Sequence, residues 1–240
     1  MQALPWKVVW ITGASTGIGR EIALQLAGQG VIVAASARSA DKLVSLGPNI
    51  RPYPLDVTDR QAVLATLETI EGDLGPVDLA VMAAGTYSLS GHLDDGQIIV
   101  NTEDTEPVAL LLGGVEIHSS TGAPVYVQEA DEAVIVLEDN TENYVSDGTA
   151  YVLENAEDGE PNAAIFSKGD LNITGNGTLS VVANYNDGIA GKDGLTINSG
   201  TIMVSAVDDG IRGKDYLVVG GGHITVRAGG DGLKSDNEKD

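Results

Sequence analysis

Between Tyr185 and Lys234 the chain repeats itself with a stride of 22 residues. Asp187-Gly188-Ile189 returns as Asp209-Gly210-Ile211 and as Asp231-Gly232-Leu233, and Gly191-Lys192-Asp193 returns as Gly213-Lys214-Asp215. Aligning residues 187–208 on 209–230 gives 11 identities in 22 positions. A unit this short cannot bury its own apolar face, so successive units must stack and share one core. The stride predicts a solenoid with one coil per repeat. The first 85 residues show no such period, so two architectures share a chain of 240 residues.

Aliphatic residues recur as i, i+2 pairs: Leu171/Ile173, Leu179/Val181, Leu195/Ile197, Ile202/Val204, Leu217/Val219 and Ile224/Val226. Period-two alternation marks strands with one face inward, and Asn-Gly, Asp-Gly and Gly-Gly dipeptides punctuate them. From Leu89 onward this pattern predicts a right-handed parallel β-helix with two or three strands per coil. Residues 138–161, rich in Asp, Glu and Asn, break the regularity and predict an inserted loop or hairpin.

Neighbouring coils of such a stack lie ~4.8 Å apart, which puts Asp187, Asp209 and Asp231 in one carboxylate column and Asp193 with Asp215 in another. Two like charges at that distance repel by about 0.9 kcal/mol in water and roughly 3–4 kcal/mol at an effective dielectric of 20. Lys192 and Lys214 offset the second column. The first has Arg212 nearby, but the equivalent position one coil earlier is Ala190. Taken singly, each Asp-Gly reads as a corner where Gly takes a positive φ. Taken as a column with Asp208 alongside, the candidate ligands are Asp187, Asp208, Asp209, Asp215 and Asp231, and the fitting ion is calcium.

Charge divides the chain. Residues 1–87 hold six Lys/Arg against eight Asp/Glu, whereas residues 88–240 hold seven against 27, a net of −20. No basic face exists to displace counterions from phosphates, which excludes nucleic acid as a partner. The absence of Cys removes disulfides and thiolate metal sites. The N-terminus carries no charged region followed by a long apolar one, and no apolar run approaches ~20 residues. The expectation is a cytoplasmic chain with no membrane span.

The first part alternates. Apolar Val8–Ile11 runs into Thr12-Gly13-Ala14-Ser15-Thr16-Gly17-Ile18-Gly19, after which Ile22, Ala23 and Leu26 recur at helical spacing. Strand, glycine turn and helix N-terminus together form a pyrophosphate cradle. Further strands are predicted at 31–36, 51–55 and 77–82, with a helix over 59–71, giving about four parallel strands with helical crossovers. Residues 4–87 resemble the short-chain dehydrogenase/reductase family through Thr12–Gly19, Arg38, Leu55-Asp56-Val57 and Ala83-Ala84-Gly85, although Ala83 stands where that family usually has Asn. The resemblance implies that Gly13, Ser15, Gly17, Ile18, Gly19 and Gly85 line a dinucleotide, that Asp56 contacts adenine, and that Arg38 meets a 2′-phosphate, selecting NADP(H). It also implies a catalytic Tyr with Lys four residues on. The seven Tyr are followed at that position by Val57, Gly91, Ala130, Gly148, Asn155, Ile189 and Gly220, so no catalytic residue is assigned. With only about four strands, the fourth is expected to be an unpaired edge.

Residues 85–240 resemble the calcium-dependent, polysaccharide-binding β-helix family of carbohydrate-binding domain-containing proteins, through Leu93-Asp94-Asp95-Gly96-Gln97-Ile98, Leu110–Ile117, Asn143–Asp147, Asp208–Asp215 and Gly230–Asn237. That family is secreted or surface-anchored, and the resemblance implies acidic or cellulosic polysaccharide as partner. It also raises lyase activity, with Arg212, Lys214, Arg227 or Lys234 as base. The reading is therefore a partial dinucleotide-binding Rossmann unit over 1–87 joined without a linker to an acidic β-helix over 88–240. The expected function is calcium-assisted polysaccharide binding. An NADP-dependent oxidoreductase and a fusion product without its own function are the alternatives.

Overall fold

The structure is a computed structural model that describes residues 6–44, 46–57, 59–82, 85–103, 105–153 and 157–237. Its first part runs β1 (Val8–Thr12), α1 (Gly17–Gly28), β2 (Ile32–Ser36), α2 (Ala40–Val44), β3 (Ile50–Pro52), α3 (Arg60–Leu74) and β4 (Leu79–Met82). The strands pair in parallel in the order β3-β2-β1-β4. All of β1 is buried because both of its faces are covered. Val9 and Ile11 join the cluster that includes Ala23 of α1, and Val8 and Trp10 join the one that includes Val63 and Ile70 of α3. Asp59 starts α3 by accepting from the Gln61 and Ala62 N–H groups at 3.0 and 3.1 Å, which satisfies donors that a helix start leaves open.

The expected bare edge is not there. β4 pairs in parallel with β6 (Gln97–Asn101), from Leu79↔Gln97 to Met82↔Val100. Beyond β6 the same sheet continues through β8 (Val125–Glu129), β11 (Ala163–Ser167), β14 (Asp187–Gly191), β17 (Ile211–Gly213) and β20 (Leu233–Ser235), making ten strands rather than four. The open hydrogen-bonding edge of a short α/β sheet is met by β6, and the sheet runs on from there.

A second ten-stranded sheet contains β5 (Gly85–Leu93), β7 (Val108–Ser119), β9 (Glu132–Leu137), β10 (Glu142–Asp147), β12 (Asp170–Gly175), β13 (Thr178–Ala183), β15 (Gly194–Ile197), β16 (Thr201–Ala206), β18 (Tyr216–Val219) and β19 (His223–Ala228). Its curl comes from β7. Residues 108–112 of this strand pair with β9, and residues 116–119 pair with β10. The sheet order is thus β18-β15-β12-β9-β7-β10-β13-β16-β19, with β5 also on β7, and every pairing is parallel. Residues 142–147 are regular strand, so the stretch read as an insertion is in part a rung of the sheet.

The aliphatic pairs form columns as their spacing requires. Leu171, Leu195 and Leu217 are in register, as are Leu179, Ile202 and Ile224, and Val181, Val204 and Val226. Ile173 and Ile197 are fully buried, but Val219, one rung further on, is 47% exposed because no later rung covers it among the described residues. The Asp-Gly steps depart from the corner expectation. Asp187 and Gly188 begin β14, and neither Gly188 nor Gly210 has a left-handed φ. These positions are glycine for packing: a Cβ on Gly188 would overlap Val204 Cγ1, and one on Gly210 would overlap Val226 Cγ1. Left-handed corners lie instead at Gly175, Gly200 and Gly222, with φ of 103°, 101° and 94°.

Candidate functional site

Three groups of residues concentrate chemistry. The first is the glycine turn after β1. Gly13 and Gly17 have φ of 70° and 59°, and a Cβ on Gly19 would lie 2.9 Å from the Gly13 carbonyl oxygen, so the turn closes only with glycine there. Thr16 caps α1 without a side-chain hydrogen bond, and the first turn of the helix holds no acidic residue. That leaves backbone N–H groups for an anion. Ser15 lies in this turn, Arg38 follows β2, Asp56 follows β3 and Gly85 follows β4. All therefore sit at the carboxyl ends of parallel strands, where open α/β sheets bind ligands. Arg38 and Asp56 are exposed. Ala83 and Ala84 lie outside the described residues, and for Ile18 the description is confined to its place in α1. Tyr87 reaches back to this edge, its hydroxyl 3.0 Å from Thr12 Oγ1.

The second group is the aspartate column. Asp187, Asp208 and Asp209 bring carboxylate oxygens within 4.8 Å of one another, and Asp231 stacks one rung on, its N–H donating to Asp209 Oδ1 at 2.9 Å. Asp215 is not in this cluster and lines a cavity with Asp193 instead. Asp187 and Asp209 are each neutralised from the following repeat. Arg212 bonds Asp187 Oδ2 at 3.0 Å and Lys234 bonds Asp209 Oδ2 at 2.9 Å, while the Asp209 N–H donates to Asp187 Oδ1 at 3.1 Å. Each buried carboxylate thus takes one backbone donor and one cation. Burial pushes the Asp187 carboxyl above the usual range despite Arg212. Burial acts on Asp209 in the same sense, but the Asp231 N–H and Lys234 together outweigh it and hold Asp209 below. Asn162, which donates to Asp187, and Asp236, which accepts from Arg212, complete the cluster.

Beside it lies a buried acid that the sequence reading did not single out as a site. Asp147, 1% exposed, accepts from the Tyr151 hydroxyl at 2.7 Å and from the Asn184 N–H, and Tyr151 stacks on Tyr185. Burial raises Asp147, and burial with the Asp147 charge raises Tyr151 far above the phenol range. The signs of these shifts predict pH behaviour. The raised Asp147 contributes stability that is fully present below its unfolded value near 3.8 and is lost as pH rises through the folded value. Asp209 contributes above 3.8, and that contribution is lost as pH falls through its lowered value. Urea midpoints measured against pH should therefore fall less steeply above pH ~4 in Asp147→Asn than in the wild type. Curves that run parallel would remove this account.

The third group is a charged groove of about 490 Å³ lined by Asp158, Glu160, Lys168, Lys192, Asp193, Lys214 and Asp215. Ser167, Gly191 and Gly213 are in register, so Lys168, Lys192 and Lys214 follow one another rung by rung, with Asp193 and Asp215 one position on. Lys192 pairs with Glu160 across the groove. Burial, followed by the Asp170 and Asp215 charges, raises Asp193. No helix among the described residues is long and apolar enough to cross a membrane.

Comparison with known proteins finds two families, whose matches overlap over residues 77–105. A family model described as carbohydrate-binding domain-containing protein matches residues 77–240, and one described as short chain dehydrogenase matches residues 7–105. A carbohydrate-binding domain-containing protein of Acetivibrio thermocellus is 38% identical over 125 residues, covering 52% of this chain and 44% of that protein. The 2,3-dihydro-2,3-dihydroxybenzoate dehydrogenase of Bacillus subtilis is 36% identical over 109 residues, covering 40% of this chain and 42% of that enzyme. The chain thus spans less than half the length of either relative. Among solved structures, the polysaccharide lyase-like protein from C. thermocellum, a gadolinium derivative, superposes with a TM-score of 0.59 at 36% identity, covering 68% of this chain and 62% of that one.

Proposed function

The chain belongs to the family of carbohydrate-binding domain-containing proteins, and from that premise we propose that residues 88–240 form a right-handed parallel β-helix that binds polysaccharide without cleaving it. The observation that carries this reading is the charged groove. It offers one lysine per rung at Lys168, Lys192 and Lys214, a periodic row along the stacking direction. A periodic row suits a periodic ligand, and ammonium groups beside hydrogen-bonding carboxylates suit an acidic polysaccharide whose uronate charges and hydroxyls alternate.

Calcium is the implied helper, and Asp187, Asp208 and Asp209 would hold it. Their present arrangement does not fit it. Calcium takes six to eight oxygens, whereas all four oxygens of Asp187 and Asp209 already accept from Arg212, Lys234 and two backbone N–H groups. Binding is therefore assigned to the lysine row with no step through the metal. In the first part, Gly13, Gly17 and Gly19 fit the phosphates of NADP(H), which when bound would supply a hydride. Arg38 and Asp56 would face its adenosine end. An oxidoreductase role is the second reading, favoured by the uncapped start of α1.

Calorimetry with polygalacturonate, cellohexaose and NADPH separates these readings. Polygalacturonate should bind without added calcium and weaken at least tenfold in Lys192→Ala/Lys214→Ala. Unchanged binding in that variant, or none in the wild type, would remove the lysine row from the function. NADPH binding accompanied by turnover would establish the second reading instead.

A further inference from the structure

We propose a second saccharide site, for uncharged sugars, in the groove where the two parts of the chain share a sheet. The groove follows from β4–β6 pairing. α1 lies over the first strands of the long sheet, and the same face runs on past it across β4, β6 and β8. Successive residues of β6 point to opposite sides. Ile98 and Val100 enter the coil core, so Gln97, Ile99 and Asn101 face the other way and floor the groove, with Gln128 of β8 beside them. Gln25 of α1 and its C-cap Gln29 form the wall, and Trp6 closes one end. The space measures about 420 Å³, within the range of small-molecule sites.

Its lining combines amides with apolar side chains. The chain is 20% charged with a net charge of −22, yet among the described residues no Asp, Glu, Lys or Arg lines this groove. In place of charge it has amides, which both donate and accept. Asn101 Nδ2 donates to Gln128 Oε1 at 3.0 Å, Gln97 Nε2 donates to the Ala123 carbonyl at 2.9 Å, and Asn101 Oδ1 is buried without a partner among the described residues. An uncharged amide-rich floor beside Trp6, Ile99 and Leu26 matches a sugar ring, which has hydroxyls at its rim and C–H groups on its faces. A nucleotide or an acidic sugar brings charge that nothing here neutralises. The assignment rests on this lining and not on the charged groove, and neither site needs the other.

The test uses the whole chain with maltohexaose, mannohexaose and cellohexaose as neutral probes and trigalacturonate as the acidic one. Tryptophan emission reports on the site, because Trp6 lines the groove while Trp10, the other tryptophan, is 7% exposed. At least one neutral hexaose should change that emission saturably and trigalacturonate should not. Gln25→Ala/Gln29→Ala places a strong helix former at exposed positions and should fold as the wild type does. It should weaken the neutral sugar at least tenfold, while Lys192→Ala/Lys214→Ala leaves it unchanged. Four outcomes would each overturn the site: no hexaose changes the emission, trigalacturonate changes it equally, the glutamine variant keeps wild-type affinity for the neutral sugar, or the lysine variant loses it.

Discussion

Replacing Arg212 with Ala should lower the free energy of unfolding by about 3 kcal/mol, the low end of what breaking a buried ion pair costs. Asp187 is 2% exposed, and among the described residues Arg212 is its only cation within bonding distance, at 3.0 Å. Without the guanidinium, the buried carboxylate keeps the Asp209 N–H and the Asn162 amide but loses its countercharge. Asp209 stands one rung away with its own charge. Arg212→Ala/Asp187→Asn should recover most of the loss, since a neutral amide needs no countercharge and can still accept from the Asp209 N–H. Urea unfolding of the two single variants and the double gives the coupling directly. Additive losses would show that the pair contributes nothing. Calcium adds a second reading of the same variant. Removing Arg212 takes the cation off Asp187 Oδ2 and leaves only the neutral Asn162 amide on it, so calcium should raise the midpoint of Arg212→Ala more than that of the wild type.

How far this column was legible in the sequence depends on which residue is considered. The 22-residue stride set the register of Asp187 over Asp209, and of Leu195 over Leu217, before any coordinate, because a stack fixes equivalent positions on top of one another. The charge balance was misjudged within that register. Looking for a cation in the same coil finds Ala190, but the actual partners are Arg212 and Lys234, each one coil and three residues further on. Each cation leans back across a rung, which the repeat contains but a same-coil comparison misses. The Asp-Gly steps resemble turns to any local rule. Only the side chain across from each, Val204 or Val226, shows why glycine is required. Asp147 and Tyr151 were hidden because polar residues between 138 and 161 read as a loop when their burial is unknown. The strand–turn–helix order of the first part was plain, since it is local. The partner of β4 was not, because strand pairing across a change of architecture leaves no mark in local periodicity.

That pairing makes Gly96 the most consequential glycine at the junction. A Cβ there would overlap the Asp78 carbonyl oxygen, and Asp78 cannot withdraw. Its side chain accepts from the Lys7 and Val8 N–H groups at 2.7 and 2.8 Å, its own N–H donates to the Val8 carbonyl at 2.9 Å, and its carbonyl accepts from Gln97 at 3.3 Å. Gly96 is held from the other side, donating to the His118 carbonyl at 2.9 Å. Gly96→Val should therefore cost about 3 kcal/mol, the upper range for overpacking, and the strain falls on the contact between β4 and β6. Both tryptophans lie in the first part, so their fluorescence follows that part and its seam with β6, whereas tyrosine absorbance follows mainly the second part, which holds Tyr126, Tyr144, Tyr151, Tyr185 and Tyr216. In the wild type the two probes should report one urea transition, as expected of a cooperative unit built on a shared sheet. In Gly96→Val they should separate, with fluorescence moving to lower urea. Gly72→Ala is the control: it sits in α3 with nothing within 4 Å of its Cβ, and it should stabilise by roughly 0.5–1 kcal/mol. Coincident transitions in Gly96→Val at the wild-type midpoint would mean that the β4–β6 ladder does not couple the two parts, and the uncharged groove built on it would lose its floor.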